Sequence, residues 1–407
     1  IRELSDFVHK DLGYRGLITE INFKENAVIS EIRDTLAFVD NHNYWDHPNS
    51  LPGHSWSFPF LHNQMSALRA AAWNPRTLMP SRIFGKPFTV TEINYVFPNR
   101  HRAESGPLLG SDKALLQGCR CARAFLNGFA WSHDDKGVRH ESPINRFDIA
   151  EDSLSQVAER VTNLMFVRGD VKPAPSGIAW PYGESTFREM NSIAEANFPV
   201  DFSMLGFYCR IGSLRENRTF PDVKLIRKPK DFMQELSEAE KKTIRGADKV
   251  SQTGEIAYNP SRGTLRIVSP KTESLSFFKG ALAGDVLTVS DGTPTFQIVT
   301  ASSMDGKPLA ASGRILLFHQ SDVTNRHIRY SSESMNAVEH WGKTEPLIRR
   351  ASAVVQLKLE PGDYRVQVIG LDGMPKGTIP AAFADGALKF SVDTAKFGGS
   401  MIYLIEK

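Results

Sequence analysis

The chain has 407 residues, enough for two or three domains. Its 41% hydrophobic and 23% charged content is that of a soluble globular protein, and no run of 18 apolar residues offers a membrane span. The formal net charge of +3 comes from 49 basic and 46 acidic residues interspersed along the chain, so no phosphate-binding stripe forms and nucleic acid is excluded as the expected partner.

The chain opens on an amphipathic helix with apolar Ile1, Leu4, Phe7 and Val8 at helical spacing, without an initiator Met or a signal-peptide pattern. This start inside an element leads us to expect further residues upstream. A buried strand is expected over Gly16–Phe23, a helix over Ala27–Asp34 and a second strand over Leu36–Asp40. A long polar loop with aromatics follows, then an Ala-, Leu- and Met-rich helix over residues 60–72. Pro87–Asn94 reads as a third strand, Leu108–Ala124 as a helix and Leu126–Trp131 as a fourth strand. Four β-then-α units with short apolar strands imply a parallel sheet, and four units are half of an eight-fold barrel. Neither G-x-G-x-x-G nor a P-loop is present, which disfavours a small nucleotide-binding sheet, and no cofactor is expected.

Val167–Ala174 reads as a strand leaving the barrel, Ser185–Ala196 as a helix and residues 231–245 as a charged helix. From about residue 250, alternating strands separated by Gly, Asp and Pro turns are expected at Gly263–Val268, Val286–Val289, Phe296–Thr300, Arg314–Phe318, Ala353–Lys358 and Tyr364–Val368. The expected organisation is therefore barrel strands over 1–165, a connecting segment over 166–250 and an antiparallel β-sandwich over 251–407. Cys119, Cys121 and Cys209 make neither a disulfide framework nor a zinc site, and read as small buried residues.

Barrel chemistry gathers at the C-terminal ends of strands. Those ends supply Glu20 and Asn22; Asp40, His42, Tyr44, Trp45, Asp46 and His47; Glu92, Asn94 and Tyr95; and Trp131, His133 and Asp134. Carboxylates among aromatics suit carbohydrate: sugar C–H faces stack on rings, and sugar hydroxyls bond to Asn, His and Asp. Glycoside hydrolysis needs two carboxyl groups, about 5–5.5 Å apart when configuration is retained.

Phe88-Thr-Val-Thr-Glu-Ile-Asn94 with Pro98-Asn99 resembles the strand-seven motif of clan A (β/α)₈-barrel glycoside hydrolases, and Asn127-Gly-Phe-Ala-Trp-Ser132 resembles their strand eight. Val39-Asp-Asn-His-Asn-Tyr-Trp-Asp-His-Pro48 is similar to a strand-six segment of an uncharacterised bacterial type of this clan, as are Phe166–Pro173 and Thr253–Ile256 further on. The resemblance implies strands five to eight of a barrel, Glu92 as nucleophile, and a carbohydrate substrate. It also implies a secreted or periplasmic location. Substrate-binding roles fall to Asn22, His42, Tyr44, Trp45, Asn94, Tyr95 and Trp131. The clan's acid/base Glu falls upstream of Ile1, on the missing N-terminal half of the barrel, which stands as a further expected partner; Glu20 is the weaker choice for that role. Two rival readings remain open. Asp40, His42, Asp46, His47 and His54 offer ligands for a metal-dependent hydrolase. A non-catalytic carbohydrate-binding protein would keep the aromatics without needing an acid.

Overall fold

The computed structural model describes residues 1–23, 25–116, 132–133, 139–140, 143–147, 149 and 151–407. It is a mixed helix and sheet protein in which antiparallel strands dominate the C-terminal part.

Helix Ala27–Arg33 starts where Asn26, in extended backbone, accepts the N–H of Ile29 on its side chain at 2.9 Å. It leads into strand Val39–Trp45, which pairs in parallel with Phe88–Tyr95. Val39 lies opposite Phe88, but the register slips after Asn41, so that His42 faces Glu92 and Thr91 is left over. This is a β-bulge, one extra residue on the second strand. Phe88 and Val90 ahead of it, and Ile93 and Tyr95 behind it, are all buried against the core.

Gly16–Phe23, expected as a strand, forms no ladder. It does run beside Val39–Trp45, with Ile18 O accepting from Ala37 N and Asn22 O from His42 N. Ile21 sits at φ +63° and its carbonyl is taken by the Arg33 guanidinium, which breaks the extended path. Residues 60–72 are not helical either, apart from composition: Phe60–Leu61 is a short strand and turns follow. Two carboxylates capture the backbone there. Asp46 accepts the N–H groups of Asn63 and Gln64, and Glu104 accepts Ser66 Oγ at 2.5 Å and Leu68 N at 3.0 Å. The expected helix near 108 runs Ser105–Leu116 and packs closely on Ser153–Phe166, because Gly106 and Gly110 bring their backbone against Ala158, Val161 and Met165. The strand Leu126–Trp131 lies outside the described residues. The eight-fold barrel itself is therefore not displayed: among the described residues its expected arc comprises the parallel pair and the segment at its edge. The opening helix forms over Arg2–Asp6 and continues to Asp11, but none of its residues is buried. No helix among the described residues is long and apolar enough to cross a membrane.

The connecting segment holds a three-stranded parallel sheet that the sequence reading missed, in the order Arg210–Arg215, Gly177–Tyr182, Val223–Leu225. Ile83 bridges to its Ser213 edge, and Arg215 pairs with Glu31 and Asp34 around the Ala27–Arg33 helix. Its apolar residues Ile178, Trp180 and Ile211, with Phe202 from the helix Val200–Met204, join the same core as Val39 and Phe88. Val167–Ala174 is not a strand but a strap, in which Arg168 and Asp170 pair and bond to Thr272 and Ser302.

Beyond it, two antiparallel sheets of nine and five strands face each other. Leu275, Val299, Leu317 and Tyr403 of one and Val289, Val355, Leu357 and Phe390 of the other share a core. Each of the six strands expected here exists, shifted by a few residues at its ends. This β-rich domain reaches back to the first part through an excursion over 323–348. There Arg329–Tyr330 and Ala337–His340 extend a sheet that contains Phe60–Leu61 and Asn49–Ser50.

Glu104 is wholly buried, and burial pushes its carboxyl from about 4.5 up to about 8, against the hydrogen bonds from Ser66, Leu68 and Ala67. Between those values the folded chain holds one proton more than the unfolded chain. Stability therefore falls as pH rises through that window, by at most about 1.4 kcal/mol per pH unit. Burial pushes His101 and His319 down, to about 3 and about 4, and they act in the opposite sense below their ordinary 6.5. The fall from Glu104 thus shows most plainly between pH 6.5 and 8. Glu104→Gln is expected to flatten the urea midpoint across this range; an unchanged slope would assign it to another group.

Candidate active site

Strand alternation sends Val39, Asn41, Asn43 and Trp45 to the interior and Asp40, His42 and Tyr44 to the opposite face. The bulge places Thr89, Thr91 and Glu92 beside them. Tyr44 Oη donates to Glu92 Oε2 at 2.6 Å, and His42 Nδ1 stands 3.3 Å from the same oxygen. Both contacts converge on Oε2; among the described residues no hydrogen bond reaches Oε1. Glu92 keeps 42% of its side-chain surface, so the carboxylate is held and still reachable. Burial, followed by the hydrogen bond and charge of Glu92, raises the Tyr44 phenol far above its ordinary range, which keeps it a donor.

His42 is set from the other side. Its Nε2 lies 3.0 Å from Asn22 Nδ2, 3.1 Å from Thr91 Oγ1 and 3.5 Å from Asp40 Oδ2. The Asn22 amide donates to Nε2, which assigns the hydrogen to Nδ1, the nitrogen that faces Glu92. Asp40, 4% exposed, accepts Thr89 Oγ1 at 2.7 Å, Thr91 Oγ1 at 2.5 Å and Thr91 N at 3.0 Å. Its oxygens are occupied by these donors, so it braces the site and is poorly placed to exchange a proton with substrate.

An aromatic wall rises next to Tyr44. Phe147 and His47 lie 5.3 and 5.4 Å from it, centre to centre, and Trp56 stands 5.9 Å from His47 and 6.1 Å from Phe147. The Arg146 guanidinium lies over Trp56 at 5.3 Å. Trp56 is 56% exposed, a large apolar face left to solvent beside a held carboxylate. Phe147 went unnoticed in the sequence because Asn145-Arg-Phe147 carries no periodic pattern; only its place in space gives it meaning.

The other expected site residues divide. Asn22 joins the site through His42. Asn94 is buried and donates to Phe147 O at 3.3 Å, so it supports the wall instead of facing substrate. Trp45 and Tyr95 turn into the core as the strand alternation dictates. Trp45 Nε1 donates to Met65 O at 3.0 Å, its ring lies between Trp73 and Tyr95, and Tyr95 Oη donates to Asn74 O. A sugar-binding role for these two is withdrawn. Glu20 is exposed on the edge segment, two residues before Asn22. Trp131 and Asp134 lie outside the described residues, and His133 falls in the short strand Ser132–His133.

The rival metal cluster is not assembled. Asp46 is spent on Asn63 N, Gln64 N and Asn99 Nδ2, and His47 Nδ1 contacts Pro48 O while its ring joins the wall. Among the described residues no group of three or more His, Cys, Asp or Glu is placed to hold a metal ion. No protein-family model matches the sequence, and no curated protein matches it.

Proposed function

We propose that this chain carries the nucleophile side of a retaining glycoside hydrolase that acts on an oligosaccharide or polysaccharide. In this reading the parallel pair and its edge segment are strands five to seven of a (β/α)₈ barrel. The supporting observation is Glu92: a half-exposed carboxylate at the bulge within a parallel pair, held on one oxygen by Tyr44 and His42 and flanked by an exposed aromatic wall. In the first step a Glu92 oxygen bonds to the anomeric carbon as the glycosidic C–O bond breaks, and an acid protonates the departing oxygen. In the second, water attacks the same carbon and releases Glu92. Tyr44 and His42 hold the carboxylate under the sugar ring, where positive charge develops.

The acid is assigned to a carboxyl on a neighbouring barrel strand, which the resemblance puts upstream of Ile1; Glu20 is the second choice. Asp40 is excluded by its three donors. Export from the cell belongs to the same proposal, by resemblance alone. The test is a screen of the full-length protein against glycans of differing sugar and linkage, with the anomer of the first product read by NMR. Cleavage with net retention is expected. Inverted product would overturn the nucleophile role, and activity confined to peptides or phosphate esters would overturn the class.

A further inference from the structure

The aromatic surface does not stop at Trp56. Arg146 lies over Trp56 on one side and over Phe60, at 4.7 Å, on the other. Phe60 meets Phe58 at 5.1 Å, and Phe58 stacks nearly parallel, 13° apart, on His340 from the β-rich domain, with centres 6.4 Å apart. Ring contacts thus lead from Tyr44, beside Glu92, to Trp56, and from there by way of Arg146 and the buried Phe60 to Phe58 and the 329–341 hairpin. We infer that this hairpin is one end of the substrate groove, a distal subsite that binds the outer sugars of an extended glycan through Phe58 and His340. The inference rests on the glycosidase reading and names the substrate class more closely: a chain longer than the sugars held at Glu92.

Most of the hairpin's fastening comes from groups other than Phe58 and His340. Ala337 and Val338 already pair with Leu61 and Phe60, Asn336 Nδ2 donates to His62 O at 2.9 Å, and His62 N donates to Asn336 O at 2.7 Å. Trp341 completes the anchor, with Phe60 at 5.5 Å and Phe97 at 5.9 Å. Phe58, 38% exposed, packs on Phe60 and Trp341 at 5.1 and 5.6 Å, and the exposed His340 pairs with Arg329 in the hairpin, yet both rings still reach solvent. An apolar ring held rigidly in water is what a sugar face stacks on. His340 Nδ1 accepts the N–H of Gly342 at 2.9 Å, which leaves Nε2 to carry hydrogen and donate to a hydroxyl.

The experiment compares wild-type protein, Phe58→Ala, His340→Ala and the double variant on β-linked gluco-, manno- and galacto-oligosaccharides from disaccharide to hexasaccharide. The loss in kcat/KM is expected to grow with chain length and to reach roughly five- to tenfold on the hexasaccharide for the double variant, carried mainly by KM. Phe58→Trp, which keeps a stacking face, is expected to restore the length dependence. Wild-type cleavage with the same length dependence in the double variant would overturn the hairpin's role and leave Glu92 untouched. Wild-type protein that cleaves none of these, nor any glycan of the wider screen, would overturn the glycosidase reading and this inference with it. Thermal melting of each variant separates a binding loss from misfolding; if the double variant melts early, Phe58→Ala alone decides.

Discussion

Glu92→Gln is expected to lower turnover by on the order of 10³-fold or more, about 4 kcal/mol in the barrier, while glycan binding persists. The amide keeps the size of the carboxylate and retains one oxygen to accept from Tyr44, whose phenol stays protonated. The aromatic wall of Phe147, His47 and Trp56 does not touch the altered atoms, so affinity for sugar changes little. What is lost is a nucleophile able to bond to the anomeric carbon. The check is kcat on the best glycan of the screen together with calorimetric binding of the same glycan. Near wild-type turnover would remove Glu92 from the mechanism and turn attention to Glu20. If instead Glu92→Gln loses turnover as expected, replacing Glu20 by Gln is expected to slow release of a glycosyl group from Glu92, visible by mass spectrometry, only if Glu20 is the acid/base.

Arg102→Met is expected to cost about 3–5 kcal/mol of unfolding free energy. Arg102 is completely buried and forks onto Asp152, Nε to Oδ2 at 2.6 Å and Nη2 to Oδ1 at 2.8 Å. It also reaches Asp322 at 3.2 Å and the Val323 carbonyl at 2.7 Å, so one guanidinium ties the Ser153–Phe166 helix and the β-rich domain to the loop after Glu92's strand. Removing it leaves Asp152 and Asp322 as buried charges short of a partner. Lys in its place offers a point charge without the fork and is expected to recover only part of the loss. Urea unfolding of the three proteins measures this; a cost below about 1 kcal/mol for Arg102→Met would place the pair among ordinary surface ion pairs.

Legibility followed the range of the interactions that decide each segment. Phe88–Tyr95 was visible as a short apolar run and the strands of the C-terminal sheets by their two-residue alternation, and Asn26 marks its helix by a local cap; the strand expected over Leu36–Asp40 lies instead at Val39–Trp45, where the polar residues after Asp40 read as loop. Residues 60–72 misled because their composition favours a helix, while Asp46 and Glu104, distant in sequence, claim the backbone N–H groups instead. Gly177–Tyr182 was missed because Pro181 interrupts a short apolar run that is buried on both sides. Of the site, Glu92, His42 and Tyr44 were each singled out in the sequence, but which aromatics face the cleft was not readable there. Strand alternation buries Trp45, expected at the substrate, while a left-handed turn at φ +55° leaves Trp56 in solvent.

The leftover Thr91 has a consequence for how Phe88–Tyr95 is to be read. Before it, even-numbered positions are apolar; after it, odd-numbered ones are. The strand is thus written in two phases, joined at the doubled polar pair Thr91-Glu92. A strict two-residue rhythm that kept Phe88 and Val90 inward would send Glu92 inward as well, into the layer that Ile93 and Tyr95 now fill. No side-chain replacement reproduces that change; only losing or gaining a residue does. Any sequence set beside this one is therefore in step with it at the carboxylate only if it carries the same phase change.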